Sequence, residues 1–420
     1  MIRSGQPLRP DRIQIGPAHL PNDLAEATMT RRTTLVLTVG LADVLLWLLA
    51  GCRVADQRHN AEDPDIGLRA SSAGNGSSGG DQHTEISNGK IAFIRHSDIH
   101  VMNSDGTGQI NPTRAKAGVG VWSPNGKKIA FFARSAGKRS LDIYVVNADG
   151  AEETNLTRTQ TGSEGAPSWS PDSKKITYLR GSDPSGEIYN DIYVMNSDGT
   201  SQTRLIRATD TKDFEVGFES PVWSPDGENI AFLRTTRVDL VNSSPSSAVP
   251  ATGPSGLYVM KPDGTGLKKL SKEMPYAQTP LWSPDGKEIA FSGTGEKKYI
   301  VNADGTELRE LLPNVGDHIS SYSWSPNGKK IAFAAVNYRG ELDMYVIDAD
   351  GTGQMNLTSS KTMIEDEPSW SPDGEHIAFT RQDADDVYVD QDVYVMNADG
   401  TGRTRLANNA SSPSFAPRDR

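Results

Sequence analysis

The residues best placed for chemistry are acidic and recur at one slot. Glu164, Glu219, Glu365, Asp366 and Glu367 fall a few residues before a tryptophan, and Gln278 and His318 take corresponding places before two others. Gathered at one mouth, such side chains would attract a cation or a basic partner. As ligands or acid/base groups they would equally serve a small-ligand or metal sensor, or an enzyme acting on a sugar or peptide. An ordinary solvated acidic surface accounts for them too, since no spacing fixes their geometry. Other catalytic signals are missing. There is no Gly-x-Ser-x-Gly elbow for a serine nucleophile, and the seven histidines are scattered along the chain. Asp348-Ala349-Asp350-Gly351 offers two calcium-type carboxylates but no glutamate at the twelfth loop position. These absences lead to the expectation of a chain that is not an enzyme and needs no cofactor.

The elements that must position these residues are written out repeatedly. One copy reads Pro368-Ser369-Trp370-Ser371-Pro372-Asp373-Gly374-Glu375-His376-Ile377-Ala378-Phe379, then Asp392-Val393-Tyr394-Val395-Met396-Asn397-Ala398-Asp399-Gly400-Thr401 after a loop. Trp-Ser-Pro recurs at Trp122, Trp169, Trp223, Trp282 and Trp324, and Phe415 takes the aromatic place in a blurred last copy. Successive copies are 42 (Trp282 to Trp324) to 59 residues apart (Trp223 to Trp282), a period that marks stacked supersecondary units. Each unit holds four short strands. Strand A ends at the aromatic residue. Ser-Pro-Asp-Gly then turns, with proline presetting φ and glycine suiting the fourth place; Ser173 replaces that glycine at some cost. Strand B is the Ile-Ala-Phe run and strand C the Tyr-Val-Met-Asn run. The Asp-Gly hairpin signal follows, then a short strand D. The sequon-like Asn155-Leu156-Thr157 and Asn356-Leu357-Thr358 fall in strand D. Strands B and C are apolar at consecutive positions, so both faces must be covered, here by neighbouring sheets. Four-stranded antiparallel sheets stacked around an axis make a β-propeller. Strands B and C occur seven times. The first unit lacks a strand A and the last strand A lacks a unit, so the expectation is an all-β, seven-bladed propeller over 88–420. Both termini share its closing blade, with residues 411–417 beside 90–95.

Loop lengths distinguish the two faces of such a ring. The A–B and C–D turns are short and uniform and lie on one face. The B–C loops (181–190, 234–256 and the aspartate-bearing 382–391) and the D–A loop 207–220 vary and lie on the other. Insertions collected on one face mark a binding face. The expected contacts there are Glu164, Glu219, Gln278, His318, Asp366 and Glu367.

Of the 420 residues, those before 88 read as targeting and tether. Met29-Thr30-Arg31-Arg32 is basic, residues 33–50 are mostly apolar with Asp43 among them, and Leu49-Ala50-Gly51-Cys52 follows. This order is that of a secretory signal. The last four residues resemble the bacterial lipobox, which implies lipidation of Cys52, the single cysteine. An uncleaved span is the alternative, and Asp43 makes it costly. Residues 1–51 are thus expected to be an extension and signal with the true start at Met29, and 52–87 a Gly/Ser-rich tether reaching roughly 30 Å. The formal net charge of −11 argues against nucleic acid as a partner.

Trp-Ser-Pro-Asp-Gly-x-x-Ile-Ala-Phe followed by Tyr-Val-Met-Asn-x-Asp-Gly resembles the propeller repeat of the TolB family across 88–417. The resemblance implies a role in the bacterial envelope: TolB is periplasmic and binds the peptidoglycan-associated lipoprotein. TolB has six blades behind an α/β domain, whereas this chain has seven units, no room for that domain in 53–87, and its own lipobox. The repeat is also similar to the seven-bladed propeller that gates prolyl oligopeptidases, though no hydrolase domain is expected here. The combined expectation is an exported, lipid-anchored monomer that binds an envelope protein or peptide through its variable-loop face.

Overall fold

In the computed structural model the described residues are 89–418, apart from 114–116, 136, 139, 160–161, 182–189, 209, 212–213, 238–254, 273, 275–277, 294–296, 312–318, 338–339 and 385–390. The chain divides into two compact units, 1–54 and 55–420, and the described residues belong to the second. Cys52, the tether, His318 and most of the three long B–C loops lie outside them.

The described residues form seven antiparallel sheets in a ring and no helix. Blade 7 shows the plan: strand A (Met363–Trp370), strand B (His376–Asp383), strand C (Asp392–Asn397) and strand D (Thr404–Ala407) pair in sequence order. Strands B and C are buried on both faces, as the consecutive apolar residues require; in blade 6 Ile331, Ala332 and Phe333 are all 0 % exposed. The central alanine lets the next sheet approach. The phenylalanine of strand B lies opposite the tyrosine of strand C, and the rings stack, as in Phe333 and Tyr345 at 5.3 Å.

The closing blade joins both ends of the repeat region. Its strand A (Ser411–Phe415) pairs with its strand B (Lys90–Arg95), Phe415 opposite Ile91 and Ser414 opposite Ala92. A bridge between Val101 and Ile110 stands where strand D would be. Seven apolar clusters among the described residues fill the seven interfaces between successive blades. Blade 4 departs from the expectation of a loop over 207–220. Asp210–Thr211 forms a short extra strand, and strand A lengthens to Phe214–Trp223, because strand B continues to Arg237 and supplies partners, with Glu215 opposite Arg237.

The short turns behave as the sequence requires. Ser-Pro-Asp-Gly glycines are left-handed, and Ser173 takes the same conformation at φ 60°. Its hydroxyl accepts the Asn125 amide of the preceding blade at 3.2 Å, which offsets part of the strain. The Asp-Gly aspartates cap their own hairpins. Asp399 accepts both the amide (2.9 Å) and the hydroxyl (2.6 Å) of Thr401, and these bonds lower its pKa.

Candidate functional site

Strand A is the innermost strand, and those of successive blades adjoin one another around the axis. The indole N–H groups of Trp122, Trp169 and Trp282 bind neighbouring strands together, whereas those of Trp223, Trp324 and Trp370 are buried without a partner. Trp169 Nε1 donates to Val121 O of the preceding blade at 3.1 Å and Trp122 Nε1 to Ser414 O at 3.0 Å.

The start of strand A carries a device with a sequence signal. In five blades a proline stands two residues before the aromatic: Pro167, Pro221, Pro280, Pro368 and Pro413. Proline has no N–H for the ladder, so inside a sheet it is confined to edges and bulges. The ladder duly shifts register there, as between Asp366 and Ser369. The residue before each of these prolines is left-handed: Ala166 (φ 47°), Ser220 (49°), Thr279 (44°), Glu367 (57°) and Ser412 (52°). Blades 2 and 6 have Gly120 and Tyr322 in the proline's place, and there Val119 and Ser321 are not left-handed. Each non-glycine residue so held costs about 1–3 kcal/mol. The bulge re-aims the side chains on either side of it.

Asp366 and Glu367 are brought together by this bulge, both half-buried, and are held by neutral donors from the two neighbouring blades. Asp366 accepts the hydroxyl of Ser320 at 2.6 Å and that of Ser321. The Glu367 amide donates to Ser321 Oγ at 3.0 Å, and the Glu367 carboxylate accepts the amide (2.7 Å) and hydroxyl (2.9 Å) of Ser412. One chain of hydrogen bonds thus crosses blades 6, 7 and 1 at the level of the bulges. Ser320, Ser321 and Ser412 carry no sequence signal of their own; the prolines two residues ahead of the aromatics are the signal that points to this ring.

The other candidates are placed differently. Glu164 is 1 % exposed and sits between blades 2 and 3. It lies opposite Arg180 on strand B and accepts its Nε at 2.9 Å, with the Thr159 hydroxyl at 2.8 Å. Burial raises its pKa, against Thr159 and Arg180. Glu365 is the same position in blade 7, 0 % exposed, with Arg381 Nε 3.4 Å away. Neither of its oxygens accepts a bond as close as those on Glu164, although the Thr358 hydroxyl also faces the carboxyl. In Thr159's place stands Ser360, whose hydroxyl donates to Met363 O. The structure therefore draws Glu164 and Glu365 into the blade interfaces and away from the mouth, because a side chain five residues before the aromatic points between sheets. Glu219 lies half-buried in strand A of blade 4, opposite Leu233. Gln278 begins strand A of blade 5, opposite Ser292.

Comparison with known proteins bears on this geometry. The family model of the TolB beta propeller domain matches residues 91–247 and 235–420. The uncharacterized peptidase YuxL of Bacillus subtilis is 34% identical over 89 residues, 21% of this chain and 11% of that protein. A prolyl endopeptidase structure superposes with TM-score 0.55 at 13% identity, covering 76% of this chain and 50% of that one. A puromycin-hydrolyzing peptidase of Mycobacterium tuberculosis gives 0.53 at 13% identity, covering 76% and 53%. The chain thus spans about half the length of these two peptidases. These matches overturn the expectation of a chain that is not an enzyme. That expectation rested on missing linear motifs, and a propeller can assemble reactive groups from separate blades that no linear motif records.

Proposed function

Because the chain belongs to the TolB β-propeller domain family, we propose that it binds a protein or peptide bearing basic groups at the bulged start of strand A, in the cell envelope. The observation that carries this reading is the Asp366–Glu367 pair. Two adjacent, half-buried carboxylates stand at a strained bulge and are held by serine hydroxyls and an amide of the neighbouring blades. Two carboxylates this close together would draw an incoming lysine or arginine. The test is charge reversal with Asp366→Lys and Glu367→Lys, assayed against a fluorescent oligolysine peptide and against crosslinked partners from the native membrane. Binding should weaken at least about tenfold, or about 1.4 kcal/mol, and lose its salt sensitivity. Unchanged affinity in a folded double variant would refute the site.

Membrane attachment through Cys52 belongs to the same proposal and is supported by Leu49-Ala50-Gly51-Cys52 after the apolar stretch. In a bacterial host, Cys52→Ser should abolish labelling by a fatty-acid probe; labelling that persists rules the anchor out.

A second reading has its support in the peptidase-named relative: the mouth processes a bound peptide. Turnover of a peptide library by the purified ring, lost in the same charge-reversed variant, would favour it over binding alone.

A further inference from the structure

The Ser-Pro-Asp-Gly turn of blade 7 carries a second cluster, at the opposite end of strand A from the bulge. Asp373, Glu375 and His376 each bring one potential ligand atom, and these atoms all lie within 4.8 Å of one another. The corresponding turns carry Asn125, Lys127 and Lys128 in blade 2, Asp172, Lys174 and Lys175 in blade 3, Asp226, Glu228 and Asn229 in blade 4, and Asp285, Lys287 and Glu288 in blade 5. Blade 6 has Asn327, Lys329 and Lys330. Among these turns, blade 7 alone sets an imidazole beside two carboxylates.

The imidazole is not spent on a structural bond through Nδ1. His376 is 7 % exposed, and its Nδ1 is buried with no hydrogen-bond partner. A buried polar atom left this way is costly, and natural structures retain few of them. Asp373 commits one oxygen to the turn: Oδ1 accepts the Ser371 hydroxyl at 2.5 Å and the Glu375 amide at 3.0 Å. Its other oxygen faces Arg418 Nη2 at 3.5 Å, from a side chain 54% exposed. Glu375 is exposed.

We infer that Asp373, Glu375 and His376 bind a divalent transition-metal ion. The donor set of one nitrogen and two carboxylate oxygens suits zinc, and three protein ligands leave a coordination position open. Arg418 faces the Asp373 oxygen that the turn does not use, so the ion and the guanidinium would compete for it. This site is independent of the acidic pair at the bulge.

The test is calorimetric titration of the untagged full chain with ZnCl2 alone. His376→Asn installs the residue that blade 4 carries at this place, so the fold should tolerate it. Wild-type protein should bind one ion that H376N binds at least about tenfold more weakly, and Arg418→Ala should bind it several-fold more tightly. No binding in the wild type, or equal affinity in wild type and H376N, overturns the site. Unchanged affinity in R418A overturns the competition.

Discussion

Truncation after Ala410 should abolish cooperative folding of the propeller, although it removes only the last ten residues. Strand A of the closing blade touches three blades at once. It pairs with strand B of its own blade, and Phe415 packs with Ile91, Phe93 and Met102 there and with Val393 and Val395 of blade 7. It binds blade 7 through the Phe415 amide to Ser369 Oγ at 3.1 Å, and accepts the Trp122 indole of blade 2 at 3.0 Å. Without it blade 1 keeps strands B and C, and the faces of blades 7 and 2 lose the cover of Phe415 and Ala416. Phe415→Ala alone should cost about 3–5 kcal/mol, since the side chain is 7 % exposed. For a ring of this size that lowers the melting temperature on the order of 10 °C. Removing Arg418 onward breaks the half-exposed ion pair to Asp373 and should cost under about 1 kcal/mol. Calorimetric melts of the three proteins decide the matter. A truncated chain that melts as sharply as the parent would show that the ring does not depend on its closing strand.

Glu365→Gln should flatten the pH dependence of stability. Burial lifts the Glu365 carboxyl from its ordinary value of 4.5 to about 7, helped by Asp343 and opposed by Thr358, Arg381 and Arg403. The folded chain therefore keeps this proton up to about pH 7, whereas the unfolded chain releases it near 4.5. Between those values the folded state binds more protons, so stability falls as pH rises. The contribution is fully present below pH 4.5 and lost above pH 7. A tenfold difference in proton affinity between the folded and unfolded chains is worth about 1.4 kcal/mol, which makes the loss between pH 5 and 8 roughly 2–3 kcal/mol. Glu164 is displaced in the same direction by the same cause and persists in the variant. Urea titrations at the two pH values should show the parent losing that much more than the glutamine variant. Parallel profiles for the two proteins would mean that Glu365 releases its proton as easily folded as unfolded.

Much of the fold was legible because propeller blades are encoded locally. Ile-Ala-Phe and Tyr-Val-Met-Asn are apolar on both strand faces, and the Asp-Gly turns before the first and after the second admit one topology. Phe415 in the tryptophan place, with no unit behind it, told how the ring closes. Blade 4 was less legible. Residues 207–220 read as a loop because their polar residues conceal a pairing with Arg234 to Arg237 that only the strand register reveals. The acidic candidates divided for a similar reason. Glu365, Asp366 and Glu367 are consecutive in the chain, yet the first is sealed between blades while the other two meet serines of the adjoining blades. The blade 7 cluster escapes any motif of paired histidines, because the fold joins a single histidine to two carboxylates around one tight turn.

The sequence by itself determined the number of blades, the strands within each, the capped hairpins and the way the ends join, since each follows from side-chain periodicity and turn chemistry within about fifty residues. Only the tertiary structure decided which carboxylates meet solvent. That depends on a one-residue bulge at Pro368, which changes where successive side chains point. It depends also on what the neighbouring blade places opposite them: Arg381 within the sheet for Glu365, and Ser320, Ser321 and Ser412 across the interfaces for Asp366 and Glu367.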